Sequence, residues 1–168
     1  MFNLFKKKDP KPAPVQAPPA PKAPENVYEF LVKCADEKSA DALAAYQKDW
    51  TDPEDKHEGM TLYDLKDSCR YGEKIYEYPP MDVTPKLKAF IGDDGSVTIT
   101  GFVVDGEDEL LVGEAAKTKA KKILKILQEE SPSITAELFG GQYWKMEDSG
   151  YVDDRWSDPY TMRVKLKW

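Results

Sequence analysis

Histidine and cysteine are nearly missing from this chain. His57 stands alone among 168 residues, and the cysteines are Cys34 and Cys69. Two cysteines at that separation make neither a disulfide framework nor a metal-ligand spacing, and each reads as a small apolar filler. One histidine does not supply a histidine-based metal site. Its surroundings, TDPEDKHEG, offer no nucleophile, so His57 reads as a solvated loop residue. The glycine-rich loops that cradle phosphates are absent, as are HExxH, GxSxG and CxxC. No apolar run approaches the ~20 residues that span a bilayer, and the start, MFNLFKKKDP, lacks the apolar core of a secretory signal. These gaps point away from enzymes and membrane spans. The expectation is a cytoplasmic, non-enzymatic binding protein with no catalytic residues, no metal ligands and no cofactor.

What is present is distributed unevenly. Residues 1–24 carry Lys6, Lys7, Lys8, Lys11 and Lys22 against Asp9, a charge of +4, so the total of −7 leaves −11 on the remainder. A body that acidic repels phosphate backbones at long range and opposes nonspecific nucleic-acid binding, which depends on counterion release from basic surfaces. Seven prolines fall between Pro10 and Pro24. A Pro/Ala-rich stretch lacks backbone donors and apolar mass, so residues 1–25 read as a disordered, extended leader. Its simplest role is a spacer. Two sharper roles are a weak membrane contact through Phe2, Leu4, Phe5 and the lysines after them, and a polyproline ligand for a partner.

Residues 26–168 read as a single α+β domain. Its organising stretch is Val97–Trp144, in the order strand, strand, helix, strand. In the helix, Ala116, Ala120, Ile123, Leu124 and Leu127 share one face at a 3.6-residue period, with lysines around them. Ser131-Pro132 ends it. Either side of the helix the period is two. Thr100-Gly101 interrupts the first strand and predicts a bulge or bend. Asp105-Gly106 predicts a tight turn. Gly140-Gly141 interrupts the last strand of the unit and predicts a barrel corner or a close backbone approach.

Upstream, Val27–Cys34 alternates as a first strand. Asp36 is placed to cap a helix over Glu37–Trp50 with Leu43, Tyr46, Gln47 and Trp50 on one face. Thr61-Leu-Tyr-Asp reads as the cap and first turn of a short helix bearing Leu62, Leu65 and Cys69 on one side. Pro85–Ile91 and Val97–Val104 read as a hairpin around Gly92–Ser96. Downstream, Glu147–Pro159 reads as a solvated acidic loop. Its acids Glu147, Asp148, Asp153, Asp154 and Asp158 lack the spacing of a cation site. Tyr160–Trp168 alternates cleanly: Met162, Val164, Leu166 and Trp168 face a core, while Arg163 and the lysines beside it face solvent.

The stretches VYEFLVKC, TLYDLKD with CRYGEKIYEY, VTITGFVVDG, KKILKIL and ITAELFGGQYWK, with a long acidic segment before a C-terminal strand, resemble the HIRAN domain in its stand-alone bacterial form. The resemblance covers about residues 27–168. It implies a curled, mostly antiparallel sheet, an OB-like small β-barrel with two to three helices. It also implies a binding module, whose best-understood relatives grip the 3′ end of single-stranded DNA. The family's E-P-x-N-x-x-D-x-x-A-I-x-V segment has no counterpart in KLKAFIGDDGSVTITGFVV, and LLVGEA lacks the tyrosine of V-G-Y-I. No ligand residue is therefore carried over. From the residues alone, a nucleic-acid surface would use Tyr143, Trp144 and Lys145 with the row Arg163, Lys165 and Lys167, since base stacking on exposed rings supplies much single-strand affinity. The alternative partner is a protein, met by the acidic face with the leader as tether. Burying Ile123 is worth about 1.5–3 kcal/mol, so Ile123→Asp is expected to abolish the cooperative urea transition, and a retained sigmoidal melt would contradict the assigned helix face.

Overall fold

The computed structural model describes residues 25–67, 71–147 and 149–168. The leader up to residue 24, Cys69 and Asp148 fall outside them. The chain runs β1 (Val27–Cys34), α1 (Glu37–Trp50), a 3-10 segment (Pro53–Gly59), α2 (Leu62–Asp67), β2 (Lys74–Tyr76), β3 (Met81–Val83), β4 (Pro85–Ile91), β5 (Val97–Asp105), β6 (Asp108–Ala115), α3 (Lys117–Glu129), β7 (Ser133–Met146) and β8 (Val152–Lys167). The fold is α+β, and its strands form one sheet in the order β2-β7-β8-β1-β6-β5-β4, with β3 attached to β7. The strand ladders are antiparallel, and a parallel bridge joins Tyr71 to Met146.

The sheet is open, which corrects the expectation of an OB-like barrel. β3 lies on β7 and β4 lies on β5, with Thr84 alone between them. The sheet therefore curls strongly, but β4 and β7 share no ladder. The turn away from β7 is local. The Thr84 carbonyl accepts from the Val104 N–H at 2.9 Å, and Pro85, next in line, has no N–H to offer.

β1 lies inside the sheet, between β8 and β6, so the first and last strands are neighbours. Asn26 and Trp168 exchange both backbone hydrogen bonds, at 2.9 and 3.1 Å. The period-two pattern is obeyed: Phe30 and Val32 on β1 and Met162, Val164 and Leu166 on β8 are buried. They join Ile99, Val103, Leu138, Leu43 of α1 and Ile123 of α3 in one cluster. The bulge expected at Gly101 is present. The register slips between Gly101 and Phe102, where β6 has the extra residue Val112. Next to it β6 crosses against β1 so closely that a Cβ on Gly113 would lie 1.8 Å from the Lys33 carbonyl oxygen. Only glycine fits there.

The helices depart from expectation in detail. Asp36 caps α1, accepting from the Ser39 N–H at 2.7 Å, but Trp50 is 63% exposed rather than on the buried face. It is the last helical residue. On α3 the buried stripe is Ala120, Ile123 and Ile126. Leu124 and Leu127 sit half-buried on its shoulder, and Ala116 is exposed at the cap. Thr61 and Asp64 cap α2 reciprocally at 2.8 and 3.2 Å. Leu65 is buried and Leu62 exposed. The largest correction concerns the acidic loop expected over Glu147–Pro159. From Val152 onward it is strand, the distal half of β8, paired to Gly141–Met146.

Gln47 is fully buried, and neither its amide nitrogen nor its oxygen has a hydrogen-bond partner among the described residues. A buried unpaired polar group costs about 1–3 kcal/mol. Gln47→Met is expected to raise the urea midpoint without changing the slope, a gain of about 1 kcal/mol, and a lowered midpoint would show that the amide is held by something else.

Candidate functional site

The site begins with an irregularity in the longest ladder. β7 and β8 pair Phe139 with Thr161, then Gly141 with Asp158, so β8 holds an extra residue opposite the glycine pair. Gly140 and Gly141 have φ of +126° and +87°. A Cβ on Gly140 would fall 2.8 Å from the Pro159 carbonyl oxygen, and one on Gly141 would fall 2.6 Å from the Tyr160 hydroxyl. The close approach expected of the double glycine is thus what lets Tyr160 fold down. Pro159 is tolerated inside the strand because the bulge asks no N–H of it. Tyr160 is buried, and burial with Glu77 nearby pushes its phenol up to about 12.

Between this bulge and α1 lies a groove of about 650 Å³. Ala40, Ala44 and Ala45 of the helix face Gly141, Pro159 and Tyr160 across it. Five carboxylates line it, Asp36, Glu37, Asp41, Glu77 and Asp158, against one cation, Lys48. Asp36 is committed to the α1 cap. Asp158 accepts from Lys74 at 2.5 Å and from the Tyr76 hydroxyl at 2.6 Å. Burial pushes the Asp158 carboxyl up, but those two donors more than offset it and hold it below the usual range. Burial, followed by Asp158, raises the Tyr76 phenol. Glu77 is paired with Lys56 at 2.9 Å. Glu37 and Asp41 have no cation against them among the described residues. The groove offers an apolar floor and a carboxylate rim, acceptors suited to a cationic ligand.

The residues expected to form a nucleic-acid surface are placed elsewhere, and not together. Tyr143 is buried, with Lys74 4.6 Å above its ring and Tyr76 edge-on at 5.5 Å. Trp144 is covered by His57, whose ring stacks on it at 3.4 Å and 8°. Lys145 lies 3.5 Å from Glu147. The basic row on β8 is matched by acids: Arg163 meets Glu137 at 2.7 Å, Lys165 meets Glu29 at 2.7 Å, and Lys167 lies 3.8 Å from Glu25. The bulge separates this row from Tyr143.

His57 is not the solvated residue its sequence context suggested. His57, Glu58 and Gly59 have φ of +52°, +58° and +72°, a left-handed run that folds the imidazole back onto the indole. The His57 N–H donates to the Glu77 carbonyl at 3.1 Å, and Lys56 lies 4.9 Å over the Tyr78 ring. A cavity of about 190 Å³ is lined by His57, Glu77, Gln142, Tyr143 and Trp144. The Nδ1 of His57 is buried without a hydrogen-bond partner among the described residues.

Among the described residues, no cluster of three His, Cys, Asp or Glu is placed to hold a metal, and no helix is long and apolar enough to cross a membrane. Compared with known protein families, characterised proteins and solved structures, the chain matches none. The sequence reading passed over the groove residues Asp41, Ala45, Asp158 and Tyr160. Two signals pointed toward them: the alanine spacing on α1 and the glycine pair.

Burial holds the His57 imidazole below its ordinary pKa. A depressed folded pKa stabilises the fold above the unfolded value of about 6.5, and that stabilisation is lost as pH falls through the folded value. No other histidine titrates in this window. The melting temperature is therefore expected to fall as pH drops below about 6.5, and His57→Phe, which keeps a ring on Trp144, to flatten that slope. An unchanged slope in the variant would assign it to another group.

Proposed function

We propose that this chain is a non-enzymatic binding module, a protein-interaction adaptor whose groove beside α1 takes an extended, lysine- or arginine-bearing segment of a protein partner. The observation that carries this reading is the groove itself. It is about 650 Å³ in volume, within the usual size of ligand sites, with an alanine and tyrosine floor and, on its rim, two carboxylates, Glu37 and Asp41, that are unmatched among the described residues. The charge of −11 on the body favours the encounter, because long-range attraction between opposite charges raises association rates. The proposal keeps the binding-module class implied by the HIRAN resemblance and moves the contact away from Tyr143 and Trp144. Base stacking needs an open ring and a basic track, whereas here one ring is buried, the other is covered, and the basic row is matched by Glu137, Glu29 and Glu25.

Selection from a random peptide library tests the proposal. Asp41 and Ala45 are both exposed, so Asp41→Lys and Ala45→Trp alter the groove without touching the core. Peptides recovered on the wild type are expected to be rich in lysine and arginine, and both variants to weaken their binding by about tenfold or more, 1.4 kcal/mol. Peptides without positive charge, or indifferent to both variants, would remove the groove. Salt-dependent binding of a labelled oligonucleotide that Arg163→Glu abolishes would return the function to single-stranded DNA.

A further inference from the structure

A second groove lies at the other end of α1 and is independent of the first. Trp50, the last residue of the helix, leaves its indole in solvent 6.2 Å from the Tyr46 ring. Together with Met81 of β3 and Val104 of β5 these rings line a depression of about 440 Å³. Its rim carries the carboxylate of Asp105, whereas Asp82 stands opposite Glu137 on the other face of the sheet, beside Arg163 and Lys165. Asp105 has no cation against it among the described residues. That contrasts with the other strand faces, where Glu29, Glu109 and Glu137 are each matched by lysine or arginine. Asp105 also pairs directly across the β5–β6 turn with Asp108, and Glu107 lies between them in the chain, so negative charge accumulates on this rim.

Aromatic rings beside unmatched acids suit one peptide chemistry especially well. A polyproline II segment presents bare pyrrolidine faces and few N–H donors, so it packs between rings without burying unpaired groups, and lysines spaced along it reach the acids. One stretch of this chain has the matching composition. Residues 10–24, PKPAPVQAPPAPKAP, hold seven prolines with Lys11 and Lys22, and they join the fold immediately before β1.

Reach is not limiting. Val83 of β3 pairs with Ala136, Ala136 with Val164, and Val164 with Phe30. The groove's β3 wall therefore lies three strand spacings, roughly 15 Å, from Phe30, and Glu25, where residues 10–24 join the fold, is five residues, roughly 17 Å, away along the chain. A polyproline II segment advances about 3.1 Å per residue, so fifteen residues cover roughly 45 Å, more than both legs together. Tethering also raises the local concentration of such a ligand to the millimolar range. We propose that the groove at Tyr46 and Trp50 is a polyproline-binding site, and that its occupant is residues 10–24 of the same chain.

The full chain labelled with 5-fluorotryptophan provides the test. It has four tryptophans, and Trp50→Phe identifies the Trp50 resonance without disturbing the core, since that indole is exposed. Substituting Pro18→Ala, Pro19→Ala and Pro21→Ala together is expected to shift the Trp50 fluorine resonance at every protein concentration, leaving the Trp144 and Trp168 resonances in place. A synthetic peptide of residues 10–24 is expected to return it toward the wild-type position. An unmoved Trp50 resonance would overturn the proposal. A shift that disappears on dilution of the wild type would assign the occupant to a second copy and overturn docking within one chain.

Discussion

The long antiparallel ladder between β7 and β8 is the constraint on which the rest of the structure depends. It runs from Ser133 opposite Lys167 to Met146 opposite Val152. Its proximal half supports β1 on one side and β3 on the other, and so anchors the main core. Its distal half supports β2, and through β2 the 3-10 segment that carries His57. Leu65, Ile75, Tyr143 and Met146 are buried at this end, outside the main cluster. One bulge divides the two halves. Gly140 and Gly141 create it, Tyr160 folds into it, and the groove against α1 opens beside it. A straight ladder would leave no such groove.

Charge is arranged by the same sheet. Side chains directly opposite on neighbouring strands lie close enough to pair, and the solvent face uses this repeatedly. Lys165 on β8 meets Glu29 directly opposite on β1, and Arg163 meets Glu137 on β7, while Glu109 on β6 reaches across β5 to both Lys86 and Lys88 on β4. Exposed pairs of this kind add little stability. Their consequence is for recognition: among the described residues Lys86, Lys88, Arg163, Lys165 and Lys167 are already matched, whereas Glu37 and Asp41 on α1 and Asp105 beside the Trp50 groove have no cation against them. Those acids are what the two proposed docking sites would offer a cationic segment.

The strands read over Val27–Cys34, Val97–Val104 and Tyr160–Trp168 were legible in the sequence because apolar and polar residues alternate across one buried face, and Pro85–Ile91 was legible by its alternation although none of its residues is buried. So were α1 with its Asp36 cap, the Asp105-Gly106 turn, the bulge at Gly101 and the close approach at Gly140-Gly141. Val152–Pro159 was not. Its acids and Pro159 have poor strand propensity, and it is strand because Gly141–Met146 supplies a partner. His57 was misread for a related reason. Nothing near it in sequence announces Trp144, which arrives from another strand.

The sequence by itself determined most of the elements, though not β3 or the distal half of β8, and the acidic character of the body, since these follow from local spacing and composition. The tertiary structure alone decided which basic residues are matched and which rings are covered. It also decided that the sheet stays open, that grooves lie at the two ends of α1, and that Tyr143 is buried and Trp144 covered. Those outcomes depend on contacts between residues far apart in the chain, such as Arg163 with Glu137 and His57 with Trp144, and no local pattern encodes them.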